Sequence, residues 1–190
     1  MIEDPVYARC RDVERGAVST RNDVYRRARA PLAVGCHNRA MTRFLPPPVV
    51  LVIAAGLMLL THARLPAAAI QFPGQTLVAL IIAGISLLLV AAAAVHFRRA
   101  GTTVNPVQPE NASQLVATGP YRYSRNPMYV ADVGLLLAFA VYLGSPASVL
   151  GIAAFIAWIH WLQIRREEEA LLTHFGADYA RYCERVRRWL

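Results

Sequence analysis

The chain has 190 residues, of which 56% are hydrophobic and 17% charged, with a net charge of +8. At a mean hydropathy of +0.35 it is too apolar for an ordinary soluble domain of this length, which carries more charge. Its basic excess, 20 Lys+Arg against 12 Asp+Glu, gathers at the ends of apolar runs, where arginine serves membrane topology rather than nucleic-acid binding.

Residues 1–43 mix charges with scattered small residues, lack helical periodicity and hold no signal-peptide apolar core before a cleavage site. Two readings fit them. One is a disordered basic tail; the other, which we favour, is an upstream start with Met41 as the true first residue. Neither gives the segment a catalytic role. The cysteines Cys10, Cys36 and Cys183 lie too far apart for a disulfide framework or a metal site.

Four apolar segments follow, and they predict an all-α membrane bundle with an amphipathic C-terminal helix. The first runs from about Pro46 to Thr61, and its leading prolines Pro46, Pro47 and Pro48 suit a helix start, where a missing amide donor costs little. The second, about Gln75 to Phe97, is long enough for a hydrocarbon core of about 30 Å. The third covers about Met128 to Leu143, and Gly144-Ser-Pro146 breaks it. The fourth covers about Ala147 to Ile164. So short a break makes the last two spans a tight antiparallel hairpin.

Arginine placement sets an expected orientation. Arg98, Arg99, Arg122 and Arg125 lie between the second and third spans, and Arg165 and Arg166 follow the fourth. The first connection carries only Arg64 and the hairpin turn carries no charge. By the positive-inside rule, both termini and the 98–127 loop face the cytoplasm.

That loop carries the densest chemistry. Gly101 to Pro109 is turn-rich, and 111–118 has room for a short amphipathic piece. Gly119-Pro120 then turns the chain into Tyr121, Tyr123 and Tyr129, with Arg122 and Arg125 between them. An interfacial anchor also uses Tyr and Arg, but it has no need of the backbone path that the glycine and prolines fix.

Beyond the fourth span the apolar period changes. Glu168, Leu171, Leu172, Phe175, Tyr179, Tyr182, Val186 and Trp189 fall at three- and four-residue steps, forming one stripe of a helix interrupted at Gly176. Arg181, Glu184, Arg185 and Arg188 fall on the opposite face. The expected resting place for such a helix is the membrane surface. Glu169 is rotated about 100° from Glu168 and is expected to be solvated.

Three other polar positions stand out within the spans. Asp132 lies one turn inside the third span, where a carboxylate is a functional candidate or a partner of Arg122 or Arg125. His160 and Gln163 lie near the exit of the fourth, as packing residues or facing a pocket. His96 ends the second span. No set has metal-ligand spacing, and no nucleotide-binding or serine-hydrolase motif occurs.

The order Leu115-Val-x-Thr118-Gly-Pro-Tyr-Arg-Tyr-Ser-Arg-Asn-Pro-Met-Tyr129, an apolar hairpin, Glu167-Glu168 and Phe175-Gly176-x-x-Tyr179-x-x-Tyr182 resembles the isoprenylcysteine carboxyl methyltransferase and phospholipid methyltransferase superfamily. The resemblance covers roughly Pro46 to the C-terminus. Asn126 stands where better-known members have His, and the eukaryotic carboxyl methyltransferases have more than four spans. The resemblance implies S-adenosylmethionine as methyl donor and a lipophilic or membrane-associated acceptor, with the site at the cytoplasmic face of the inner membrane. By the same resemblance Gly119, Tyr121, Arg125, Asn126, Pro127, Tyr129, Glu167 and Glu168 hold the cofactor, and Arg165 and Glu168 act in catalysis. The residue chemistry agrees: tyrosine faces attract a sulfonium, glutamates accept from ammonium or ribose groups, and Arg125 or Arg165 pairs with a carboxylate.

Two further classes share part of this pattern. A sterol-reductase-type membrane enzyme carries a similar Arg-x-Pro-x-Tyr loop and uses a nicotinamide cofactor. A non-catalytic membrane protein retains the bundle, although the intact glutamate pair speaks against it.

Overall fold

The computed structural model describes residues 45–65, 70–99 and 115–190. The basic extension and the turn-rich stretch after Arg99 therefore lie outside the described residues. Within them the chain is helical, without a strand: α1 (Pro47–Arg64), α2 (Gln75–Arg99), a 3-10 turn (Gly119–Arg122), α3 (Pro127–Leu143), α4 (Ser148–Phe175) and α5 (Ala177–Arg185). Three of these, α1, α2 and α4, are long and apolar enough to cross a membrane, and α3 is a shorter apolar helix of 17 residues. Proline opens both α1 and α3, where its fixed φ is already helical.

The packing follows from side-chain size. The buried residues of α2 are Ala79, Ser86 and Ala93, small residues seven apart on one face, which let its backbone approach α3 closely. The rest of α2 is lipid-like surface, with Leu80 64% and Leu88 72% exposed. A second core lies between α1, α3 and α4, where Val50, Ala54 and Met58 meet Leu136, Phe155 and Ile159.

The α3–α4 hairpin forms as expected. Gly144 ends α3 at φ +61°, a left-handed conformation that a side chain resists, and a Cβ there would sit 2.3 Å from the Ile70 carbonyl oxygen. The same turn is stitched to the start of α2: the Ile70 amide donates to the Gly144 carbonyl at 2.7 Å, and Gln75 Nε2 to that of Val141 at 2.7 Å.

Three expectations change. The fourth span does not end at Ile164; α4 runs on to Phe175, with a π turn over Ile159–Ile164. The apolar stripe beyond it packs on protein rather than on lipid. Leu172, Tyr179, Tyr182 and Val186 are buried against Leu115 and Ala117, so that α5 closes over the 115–125 segment. Arg188 does not belong to a solvated helix face, because α5 ends at Arg185 and residues 186–190 fold back over the bundle.

Candidate functional site

The 3-10 turn and the start of α3 bring the Tyr/Arg-rich segment beneath α4 and α5. A glycine is required at 119: φ is +61°, and a Cβ would lie 2.1 Å from His96 Nε2. The His96 ring also sits 3.3 Å from Thr118 Oγ1 through Nδ1, so the end of α2 fixes the entry to the turn. Tyr121 packs edge-on to Phe97 with centroids 5.1 Å apart, and its carbonyl accepts from the Tyr182 hydroxyl at 2.7 Å.

These elements enclose a cavity of about 430 Å³. Pro47, Val90, Phe97, Met128, Leu171 and Phe175 give it apolar walls, and Tyr121, Arg125, Asn126, Tyr129, Asp132, Glu167, Glu168, Tyr179 and Tyr182 supply polar groups. Largely apolar walls with a few polar groups are the usual make-up of a small-molecule site.

Two carboxylates there are held differently. Glu167 Oε1 accepts from Tyr129 Oη and from Gln163 Nε2, each at 2.7 Å, so α3 and α4 are joined at the cavity wall. Both donors address the same oxygen, and Oε2 accepts from none of the described residues. Glu168, 2% exposed, lies between two guanidinium groups. Arg125 Nη1 is 3.1 Å from its Oε1, and Arg188 donates from Nε to Oε1 and Oε2 at 3.1 and 3.0 Å and from Nη2 to Oε2. Burial lowers the Arg125 pKa, but the Glu168 carboxylate, with Cys183 and Tyr179 beside it, outweighs burial and holds the guanidinium above its usual value. Burial pushes the phenols of Tyr121, Tyr179 and Tyr182 up, keeping them neutral donors.

Of the residues singled out in the sequence, Tyr121, Arg125, Asn126, Pro127, Tyr129, Glu167 and Glu168 all line this cavity. Gly119 and Arg165 do not. Gly119 shapes the turn, and the Arg165 guanidinium stacks 4.3 Å over the Trp161 ring. Arg125 pairs with Glu168 of this chain, and its Nη1 also donates to Cys183 Sγ at 2.7 Å. Asn126 Nδ2 donates to the Arg188 carbonyl at 3.0 Å. Asp132 faces neither Arg122 nor Arg125 in an ion pair; it lines the cavity. Of the two polar residues near the exit of α4, Gln163 supports Glu167, whereas His160 reaches Arg188 and Trp189.

Sequence reasoning missed Arg188, Tyr179 and Tyr182 as parts of the site. The tyrosines were visible in the apolar stripe, but nothing in a helical period says whether protein or lipid covers it. Glu169 is exposed, as its rotation from Glu168 requires.

A family model described as phospholipid methyltransferase matches residues 75–178, from the start of α2 into α5. An uncharacterized protein of Haemophilus influenzae is 44% identical over 63 residues, which are all of that protein and 33% of this chain. No solved structure gives a significant match.

Proposed function

Because the chain belongs to the phospholipid methyltransferase family, we propose that it transfers a methyl group from S-adenosylmethionine to a lipophilic or membrane-associated acceptor, an isoprenylcysteine-type carboxylate or a phospholipid-type amine. The observation that carries this reading is the cavity at one end of a membrane bundle, where tyrosines and a half-satisfied carboxylate face apolar walls. The catalytic unit is residues 44–190. Residues 1–43 are dispensable, and the site faces the cytoplasmic side of the inner membrane.

The residues fit the donor. Its cationic groups suit the faces of Tyr121 and Tyr129 and the Oε2 atom of Glu167. When bound, S-adenosylmethionine supplies an electrophilic methyl on its sulfonium. Gly119, Asn126 and Pro127 set the loop that holds it, and Arg125 and Glu168 set the charge beneath it. Methyl transfer is an in-line displacement, so most of the rate comes from aligning donor and acceptor and excluding water. Phe97, Leu171 and Phe175 give that alignment an apolar wall that disfavours water. A carboxylate acceptor needs no base, whereas an amine acceptor must lose a proton. Of the three carboxylates lining the cavity, Asp132 is the one that no described side chain engages in a hydrogen bond or ion pair, and so is suited to take it. Arg165 stacks on Trp161 and lies outside the lining, so in this reading its part is with the acceptor's headgroup rather than with the cofactor.

Purified protein in detergent is expected to bind S-adenosylhomocysteine in isothermal titration and not NADPH. Binding of NADPH instead would establish the reductase reading, and binding of neither would favour a non-catalytic bundle.

A further inference from the structure

The geometry points to residues 186–190 as a strap that positions the cofactor loop, with Arg188 as its clasp. The strap touches the loop through the backbone. The Arg125 amide donates to the Arg187 carbonyl at 2.9 Å, and the Arg188 carbonyl accepts from Asn126 Nδ2 at 3.0 Å and Ser124 Oγ at 3.4 Å. Three consecutive loop residues thus depend on two consecutive carbonyls of the strap.

Its other side is held by charge. The Arg188 guanidinium grips Glu168 with both Nε and Nη2, and its Nη1 lies 3.4 Å from His160 Nε2. Trp189 Nε1 donates to Nδ1 of the same ring at 3.4 Å. Arg188 therefore joins α4, which carries Glu168 and His160, to the loop 124–126 that opens α3. Arg125 closes the circuit, because its side chain pairs with Glu168 while its amide is held by the strap. Arg188 itself is not among the residues lining the cavity. It is a positioning residue, acting on the cofactor through Arg125 and Asn126. A two-pronged guanidinium suits this task, since it fixes both distance and angle to a carboxylate.

This inference rests on the methyltransferase reading, and its test separates the two. Hydrogen exchange of the full chain in nanodiscs reads the Arg125 amide, and titration with S-adenosylhomocysteine reads the site. Arg188→Ala is expected to lose protection at Arg125, to leave α1–α3 protected, and to weaken binding about ten- to a hundredfold, the range for a lost charge-assisted bond. Arg188→Lys, which keeps the charge without the fork, should fall between Ala and wild type in both readouts. Should Arg188→Ala fail to fold, Arg188→Lys and Trp189→Phe carry the test, each with a smaller loss in the same amide and the same affinity. Retained protection at Arg125 overturns the clasp. Lost protection with unchanged affinity overturns the positioning role, and a Lys variant no better than Ala removes charge as its cause. A wild-type protein that binds no S-adenosylhomocysteine overturns the methyltransferase reading and the positioning role with it, while the exchange data still show whether the clasp exists.

Discussion

Glu168→Gln tests whether the buried charge cluster stabilises this fold. Glu168 is 2% exposed and faces Arg125, whose side chain is equally buried, and Arg188, whose side chain is 11% exposed. Removing the carboxylate leaves two guanidinium groups facing each other out of water. Breaking a buried pair by deleting one partner costs about 3–5 kcal/mol. A glutamine still offers one carbonyl oxygen to Arg125 or Arg188, so the loss should lie near the lower end, about 3 kcal/mol. Glu169→Gln changes an exposed carboxylate on the same turn and should cost less than about 0.5 kcal/mol. Denaturant unfolding in matched detergent measures both, and Glu168→Gln with Arg125→Met should be less destabilised than the sum of the single variants, because the orphaned cation is gone. Equal stability of the Glu168 and Glu169 variants, or strict additivity in the double variant, refutes the reasoning.

Gly144→Ala should destabilise by at least about 2 kcal/mol, since the new Cβ meets the backbone oxygen of Ile70 at 2.3 Å and the residue is held at φ +61°; thermal unfolding against Gly84→Ala, where a Cβ meets open space, checks it. Stability should fall as pH rises above about 10, the ordinary tyrosine value. Tyr121, Tyr179 and Tyr182 have raised folded-state pKa values, so the unfolded chain ionises first, and the stability present below that pH is lost; melting curves between pH 8 and 11 show it. Reporter fusions at Gly74 and Ser145 should report the outer side and one after Leu190 the inner side, and an outward C-terminus would sink the proposed orientation. Deleting residues 1–40 should leave S-adenosylhomocysteine affinity unchanged in titration, and a loss of affinity would give the tail a part in the site.

The spans were legible because a run of apolar residues with arginines at its ends has one physical solution near a bilayer. Pro47, Pro127 and Gly144 mark three boundaries that the structure keeps. The continuation of α4 through Arg165-Arg-Glu-Glu-Glu169 was not legible. A charge run looks like a membrane boundary until its partners are known, and Glu168 finds one of them 20 residues further on. Arg and Glu are good helix formers, so nothing local stops the helix there. Burial of the stripe was legible as a period, but its covering was not: Leu115 and Ala117 lie far from Tyr179 in sequence. The contact from Gln163 to Glu167 had a signal in its four-residue spacing, which puts both on one helix face.

The departure at position 126 follows from the same geometry. An amide side chain donates at every pH, whereas an imidazole nitrogen donates only in the right tautomer or when protonated. Asn126 uses that fixed donor on the Arg188 carbonyl while its neighbour Arg125 reaches Glu168. The residue that differs from better-known members is thus tied to the strap, and the residue beside it is tied to the clasp. A His here would have to find the same carbonyl with a ring nitrogen, and the loop would then be held in a way that depends on protonation. In this chain that one contact is independent of pH over the range in which imidazole titrates, and the imidazole of the strap is instead His160, which meets Arg188 and Trp189. Among the charged side chains that line the cavity, Asp132 is the one carried by α3.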